Sequence, residues 1–339
     1  MITSQDYVLE LTKKLTPAYR YDGKEDLTAW QNKSAEKLNE LLGLPLVAPA
    51  DDKFSQEAPY EKDGLTYIPF TFQSEDGYFV PCCLVKKTEL TEKAPLVICL
   101  QGHSSGMHIS LGEPIFENDA KTIAGGRDFA VRAANEGCVA VAIENRYMGK
   151  MGLGDSPMPA CVGGAKNAAM AALLIGRTAI GERVWDVMRT IDAVLKYFKD
   201  MVDENRIVCL GNSGGGTATF YASCLDKRIA LSVPSCAVCT YEDSIMPINH
   251  CPCNFIPGIR KYFDMGDLAG LIAPRNLIMV CGKEDNIFPL PGVQKSIETA
   301  KNVFRAFGKE EDCHLVIGNS GHQFYPDDAW PIMRTYLNL

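Results

Sequence analysis

The sequence predicts an α/β fold built on a mostly parallel central sheet with helices on both faces. Two observations carry the prediction. After the N-terminal quarter, short apolar, β-branched runs alternate with longer segments of helical spacing, and such alternation implies parallel strands joined by crossover helices. The chain also has 339 residues, 46% hydrophobic and 22% charged, enough to bury the large core that such a sheet requires.

Residues 1 to about 55 carry helical spacing, with Leu38, Leu41 and Leu42 following Trp30, and they end in the turn-rich "APADDKFSQEAP". Residues 1–58 are therefore expected to form a helical N-terminal extension to an α/β domain at 59–339. "LTYIPFTF" and "YFVPCCLV" flank "QSEDG" and read as a β-hairpin turning at Asp76 and Gly77. The strand "PLVICL" follows, then a helix ending near "FAVRAANEG", the strand "CVAVAIE", and a helix on which Val184, Val187, Ile191, Val194, Leu195 and Phe198 recur at three- and four-residue steps. "RIVCL", "IALSVP", "NLIMVC" and "CHLVIG" continue the strands, and helices are expected at "TATFYASCLD", from about 293 to 307 and from about 327. Residues 235–270, rich in Cys, Pro and aromatics, are too long for a plain loop and are expected to form a partial lid. No internal repeat, low-complexity tract or strong linker interrupts the series.

Composition excludes several classes. With 42 acidic against 34 basic residues the net charge is -8, the wrong sign for binding nucleic acid. No apolar run approaches bilayer length, and "MITSQDYVLELTKKL" has acidic residues where a secretory signal is apolar, so a cytoplasmic location without membrane association is expected. Several of the 13 cysteines, among them Cys99, Cys209 and Cys281, lie inside strand-like runs where they act as small hydrophobes; their odd number and scatter fit a reducing compartment. The densest group, His250, Cys251 and Cys253 in "NHCPCN", has no second ligand pair at zinc-site spacing and is expected to be a loop of buried thiols. No metal or cofactor is expected.

The chemistry concentrates in "VCLGNSGGGTAT". Ser213 stands between the strand "RIVCL" and the helical "TATFYASCLD", the setting of a strand-to-helix nucleophile elbow, where Gly211 and Gly215 let the two elements approach and Gly214 and Gly216 relax the steric demands further. Read as G-N-S-G-G it also resembles the trypsin-like motif, but that design needs an all-β barrel and the order His, Asp, Ser. A second G-x-S-x-G, "GHSSG" around Ser104, is followed by "MHISLGEP", which offers no helix, so Ser104 is not expected to be a nucleophile. Its loop suits an oxyanion-binding role instead.

A serine hydroxyl needs a base, and the base an orienting carboxylate. Of the five histidines, His322 in "NSGHQFYP" follows the last strand, at the end of the sheet where a base belongs, and Gly321 lets the chain turn. Glu284 and Asp285 both follow the preceding strand; Asp285, in a G-x-x-D turn, is favoured. Beyond these, Glu144 and Arg146 in "ENRYMGK" face two readings, substrate contact or surface ion pair, and Arg177, Arg183 and Asp186 suggest a buried polar network.

Taken together, "LQGHSSGMH", "GNSGGGTATFYAS", "IAPRNLIMVCGKEDNIFP" and "GNSGHQFYP" resemble the α/β-hydrolase superfamily over about residues 60–339, and within it the acetyl xylan esterase-like and dienelactone hydrolase-like branch. Dienelactone hydrolases use a cysteine where this chain has Ser213, and Gln101 replaces the histidine common in the oxyanion loop of such esterases. The resemblance implies a catalytic domain at 59–339 with the triad Ser213, Asp285 and His322, and an oxyanion hole formed by the N–H groups of His103 and Gly214. It implies a serine carboxylesterase acting on short acyl esters of small molecules or carbohydrates, acetyl xylan among them. A peptidase or acyltransferase on the same triad, and a non-catalytic binding protein of this fold, remain alternatives.

Overall fold

The structure is a computed structural model that describes residues 2–103, 105–153 and 162–339. Among these residues ten strands form one sheet: β1 (Ser55–Gln56), β2 (Tyr60–Lys62), β3 (Leu65–Glu75), β4 (Tyr78–Lys87), β5 (Ala94–Leu100), β6 (Val139–Ile143), β7 (Val202–Asn212), β8 (Ile229–Ser235), β9 (Asn276–Gly282) and β10 (Cys313–Gly318). Their order is β1-β3-β4-β6-β5-β7-β8-β9-β10, with β2 on β3. Strands β6, β5, β7, β8, β9 and β10 run parallel, and the β1–β4 edge is antiparallel. The hairpin forms where the sequence places it: Gly77 takes the positive φ of the turn, and its N–H donates to Gln73 Oε1 at 2.7 Å.

Both faces of the parallel strands are covered, which is why their sequences are apolar at consecutive positions. Leu96, Ile98, Ile207, Cys209, Leu277 and Met279 point into one core layer with the helices Leu27–Leu42, Ala179–Tyr197, Gly214–Leu225 and Leu290–Ala306. Val97, Cys99, Val208, Leu210, Ile278 and Val280 point into the other, against Phe129–Asn135 and Pro326–Leu337. The helix Val162–Leu174 escapes sequence reading because "VGGAKNAAMAALL" has little amphipathic contrast, and the first strands are too short to show a period.

The helix Leu27–Leu42 packs into the sheet's core, whereas Ser4–Lys13 is largely exposed. Asp26 caps Leu27–Leu42 by accepting from the Ala29 N–H at 2.9 Å, and Trp30, Leu38 and Leu42 are buried in the main layer. Gln31 donates to the Ala273 carbonyl at 2.6 Å, and Arg20 meets the buried Asp267 at 2.8 Å. The segment after β8 likewise sends Val238, Cys239, Tyr241 and Ile245 into that layer.

Arg146 follows neither of its two readings, since it is buried. Its guanidinium forks onto Asp186 with two 2.7 Å bonds and reaches Glu75 at 2.7 Å, while Ser74 donates to Asp186 at 2.6 Å. Arg177 joins through Glu75 and Glu182, while Arg183 pairs with no carboxylate among the described residues and donates to the Arg146 carbonyl at 2.9 Å, so the polar network forms around Arg146 and ties the helix Ala179–Tyr197 to the β3–β4 hairpin. Breaking such a buried pair leaves a charge without a partner. Arg146→Ala should therefore lower unfolding free energy by about 3–5 kcal/mol in denaturant titrations; a loss below about 1 kcal/mol would mark the pair as no stronger than a surface bridge.

Candidate active site

Ser213 sits between β7 and the helix Gly214–Leu225 at φ 55° and ψ -123°, a conformation that side chains rarely adopt. Neighbouring backbone holds it there. The Ser213 N–H donates to the Ser235 carbonyl at 2.8 Å, and the Thr217 N–H donates to the Ser213 carbonyl at 2.8 Å. A Cβ on Gly211 would overlap the Gly215 carbonyl, one on Gly215 the carbonyls of Leu100 and Gln101, and one on Gly216 the Ser235 carbonyl. Gly214 is enclosed only by side chains, the Met148 methyl and the His103 ring, whereas Gly211, Gly215 and Gly216 face backbone carbonyls and are sterically required, so the expected slack at 216 does not exist.

The loop after β5 passes directly beside this turn: a Cβ on Gly102 would lie 2.9 Å from both the Asn212 oxygen and Ser213 Cβ. Gln101 is buried and braces the loop, donating to Ser110 Oγ at 2.8 Å and the Arg127 carbonyl at 2.7 Å while accepting from Arg127 at 2.8 Å. Ser104 lies outside the described residues. A one-turn helix, Met107–Ser110, does follow the loop, contrary to the sequence reading, but it stops at Leu111 before Gly112.

Asp285 and His322 meet. His322 Nδ1 lies 2.8 Å from Asp285 Oδ2, and the Asp285 side chain is fully buried. Glu284, its rival, is exposed. Burial alone would raise the Asp285 carboxyl, but the hydrogen bond and charge of His322, with the N–H groups of Phe288 and Ile287, outweigh it and hold the pKa below the ordinary value. An ionised carboxylate can only accept, so Nδ1 carries the proton and Nε2 is free to accept one. Phe288 stacks on the imidazole at 5.9 Å. Cys236, which sequence reading passed over, spans the strands beneath: its N–H donates to the Val280 carbonyl at 2.7 Å and its Sγ to the Gln323 carbonyl at 3.2 Å. The turn at Ser213, the Gly102 loop, Asp285 and His322 all follow the C-terminal ends of parallel strands, where α/β sheets place their sites. Among the described residues Ser213 Oγ makes no hydrogen bond to His322.

The "NHCPCN" cluster divides. His250 turns to Ser244 Oγ at 3.1 Å, whereas His103 Nε2 lies 3.0 Å from Cys253 Sγ and Arg183 donates to that sulfur at 3.3 Å. Hydrogen bonding from Cys251, aided by Arg183 and His103, draws the buried Cys253 thiol well below its ordinary pKa.

Sheet order, strained elbow and the carboxylate–imidazole pair define an α/β-hydrolase. The chain belongs to the Abhydrolase family, whose model matches residues 1–307. A Bacillus subtilis (strain 168) protein named as a hydrolase, YtaP, is 29% identical over 154 residues, 44% of this chain and 50% of its own, so the chain spans about half the length of that curated relative. Among solved structures, a Bacteroides fragilis protein named as an acetyl xylan esterase superposes at TM-score 0.76 with 16% identity, covering 98% of this chain and 84% of the other. A glucuronoyl esterase from Solibacter usitatus superposes at 0.72 with 14% identity, covering 96% and 98%. Among the described residues no helix is long and apolar enough to cross a membrane.

Glu144, another residue with two sequence readings, is buried behind the Gly102 loop, where both carboxyl oxygens face the Met107 N–H at 3.4 Å. Burial raises its pKa from 4.5 to about 7, against weaker help from that N–H. Because the folded state holds the proton more tightly, the stability credited to Glu144 is complete below the ordinary value and is lost as pH rises through about 7. Measured against Glu144→Gln, the wild-type protein should lose relative stability between about pH 4.5 and 7; parallel stability curves would show the carboxyl to be solvated.

Proposed function

We propose that the protein is a serine carboxylesterase that removes short acyl groups, with acetylated carbohydrate the favoured substrate class. The observation that carries this reading is the Ser213 elbow, strained and pressed against the Gly102 loop, at the same sheet end as the His322–Asp285 pair. The names borne by the structural neighbours, acetyl xylan and glucuronoyl esterases, support the substrate class. Apolar burial of the described cysteines, all free thiols, suits a reducing cytoplasm.

In this mechanism Ser213 Oγ attacks the ester carbonyl as His322 Nε2 takes its proton. Asp285 steadies the imidazolium, and the N–H groups of Gly214 and His103 receive the oxyanion. The imidazolium then protonates the departing alcohol. Water, deprotonated by the same imidazole, releases the acid from the acyl-serine. Gly214 opens a helix, so its N–H has no partner within that helix and is available to developing negative charge.

Ser213→Ala should abolish hydrolysis of an aryl acetate and labelling by a fluorophosphonate while leaving the far-ultraviolet dichroism unchanged; retained labelling would move the nucleophile elsewhere, with Ser104 the first alternative. Asp285→Asn should lower kcat by about 10^4-fold with little change in KM, because the imidazole loses both its tautomer and its countercharge. Glu284→Gln, on an exposed side chain, should stay within about twofold of wild type. Turnover should fall on acidification in the wild-type protein, since the base must start neutral.

A further inference from the structure

We propose that His103, Cys251 and Cys253 form a binding site for a thiophilic d10 cation, Zn2+ in the first instance, adjoining the Ser213 elbow through His103. One nitrogen and two sulfurs offer ligand atoms that all lie within 4.8 Å of one another. A tetrahedral zinc with ligands at about 2.0 Å to nitrogen and 2.3 Å to sulfur spaces those atoms by about 3.5–3.8 Å. His103 Nε2 and Cys253 Sγ already stand 3.0 Å apart, so a cation would spread them by only about half an ångström.

The surroundings fit this donor set. Cys251 and Cys253 are 7% and 1% exposed and pack against Ala169, Ala179 and Tyr147, a dry wall that strengthens metal–thiolate bonds. Two thiolates and a neutral imidazole balance one divalent charge, and binding releases the thiol protons. Arg183, which donates to Cys253 Sγ at 3.3 Å, then acts as an outer hydrogen-bond partner of a coordinated thiolate, and among the described residues its other terminal nitrogen has no hydrogen-bond partner. Three protein ligands leave one tetrahedral position to a solvent oxygen. His103 comes from the loop after β5, whereas Cys251 precedes and Cys253 lies within the single turn Pro252–Asn254, Cys253 standing 150 residues from His103 along the chain. The pair "CPC" alone therefore gives no sign of the third ligand.

The test titrates Cd2+ into the reduced, chelator-stripped full chain, following thiolate-to-cadmium charge-transfer absorption, and then displaces it with Zn2+. The band should saturate at one cation per chain. It should persist in Ser213→Ala, so the result stands or falls independently of the esterase reading, and in Cys313→Ser, whose thiol lies outside the cluster. Cys251→Ser and Cys253→Ser should each abolish the stoichiometric band, and His103→Asn should keep it while weakening Zn2+ binding. Should Cys253→Ser fail to fold, Cys251→Ser and His103→Asn carry the same comparison. A wild-type chain with no band at one equivalent, or a band undiminished in Cys251→Ser, overturns the site.

Discussion

The close approach of three backbones at the end of β7 is the constraint on which the rest of the site depends. Gly211 and Gly215 touch because the chain reverses from strand to helix within one residue, and Gly215 also lies against the carbonyls ending β5. Any Cβ there would push the helix Gly214–Leu225 off the sheet. Ser213 is held at positive φ because its flanks leave it no other conformation, and the energy for that strain, of order 1–3 kcal/mol, comes from the fully packed core beneath it. A hydroxyl on such a turn stands clear of its own backbone, and the helix start behind it presents N–H groups that no helical carbonyl reaches.

From that point outward, parallel register does the positioning. Leu100 pairs with Gly211, Asn212 with Ser235, and Gly282 with Gly318, so the loops that follow β5, β7, β8, β9 and β10 emerge at one level. The Asp285–His322 contact is then a matter of two short loops meeting, and Cys236 fastens them from below. The ion network around Arg146 secures the β3–β4 hairpin to the helix Ala179–Tyr197.

Much of this was legible in the sequence because the relevant signals are local. Apolar runs separated by helical spacing mark the parallel strands, and a glycine on each side of Ser213 at the required offsets marks the turn. The burial of Asp285 beside an exposed Glu284 also has a local cause, since Asp285 Oδ1 accepts the Ile287 and Phe288 N–H groups within a four-residue turn. What escaped depends on contacts between distant segments. "NHCPCN" pointed to His250 as the companion of the two thiols, yet the imidazole at hydrogen-bond distance from Cys253 belongs to His103, on another strand's loop. Glu144 and Arg146 looked alike in "ENRYMGK", but one faces a bare N–H and the other two carboxylates, a difference set by what the sheet brings against them. The helix Leu27–Leu42 reads as an appendage because its partners lie at the far end of the chain.

That last arrangement governs how the molecule can assemble during synthesis. The Gln31–Ala273 and Arg20–Asp267 contacts join residues separated by 242 and 247 positions, so neither can form until about 240 further residues have been made. Until then the layer that buries Trp30, Leu38 and Leu42 is incomplete, and the helix Leu27–Leu42 keeps an apolar stripe exposed through much of elongation. A helix that helps seal the finished core is thus open to aggregation and chaperone capture while that core is being made.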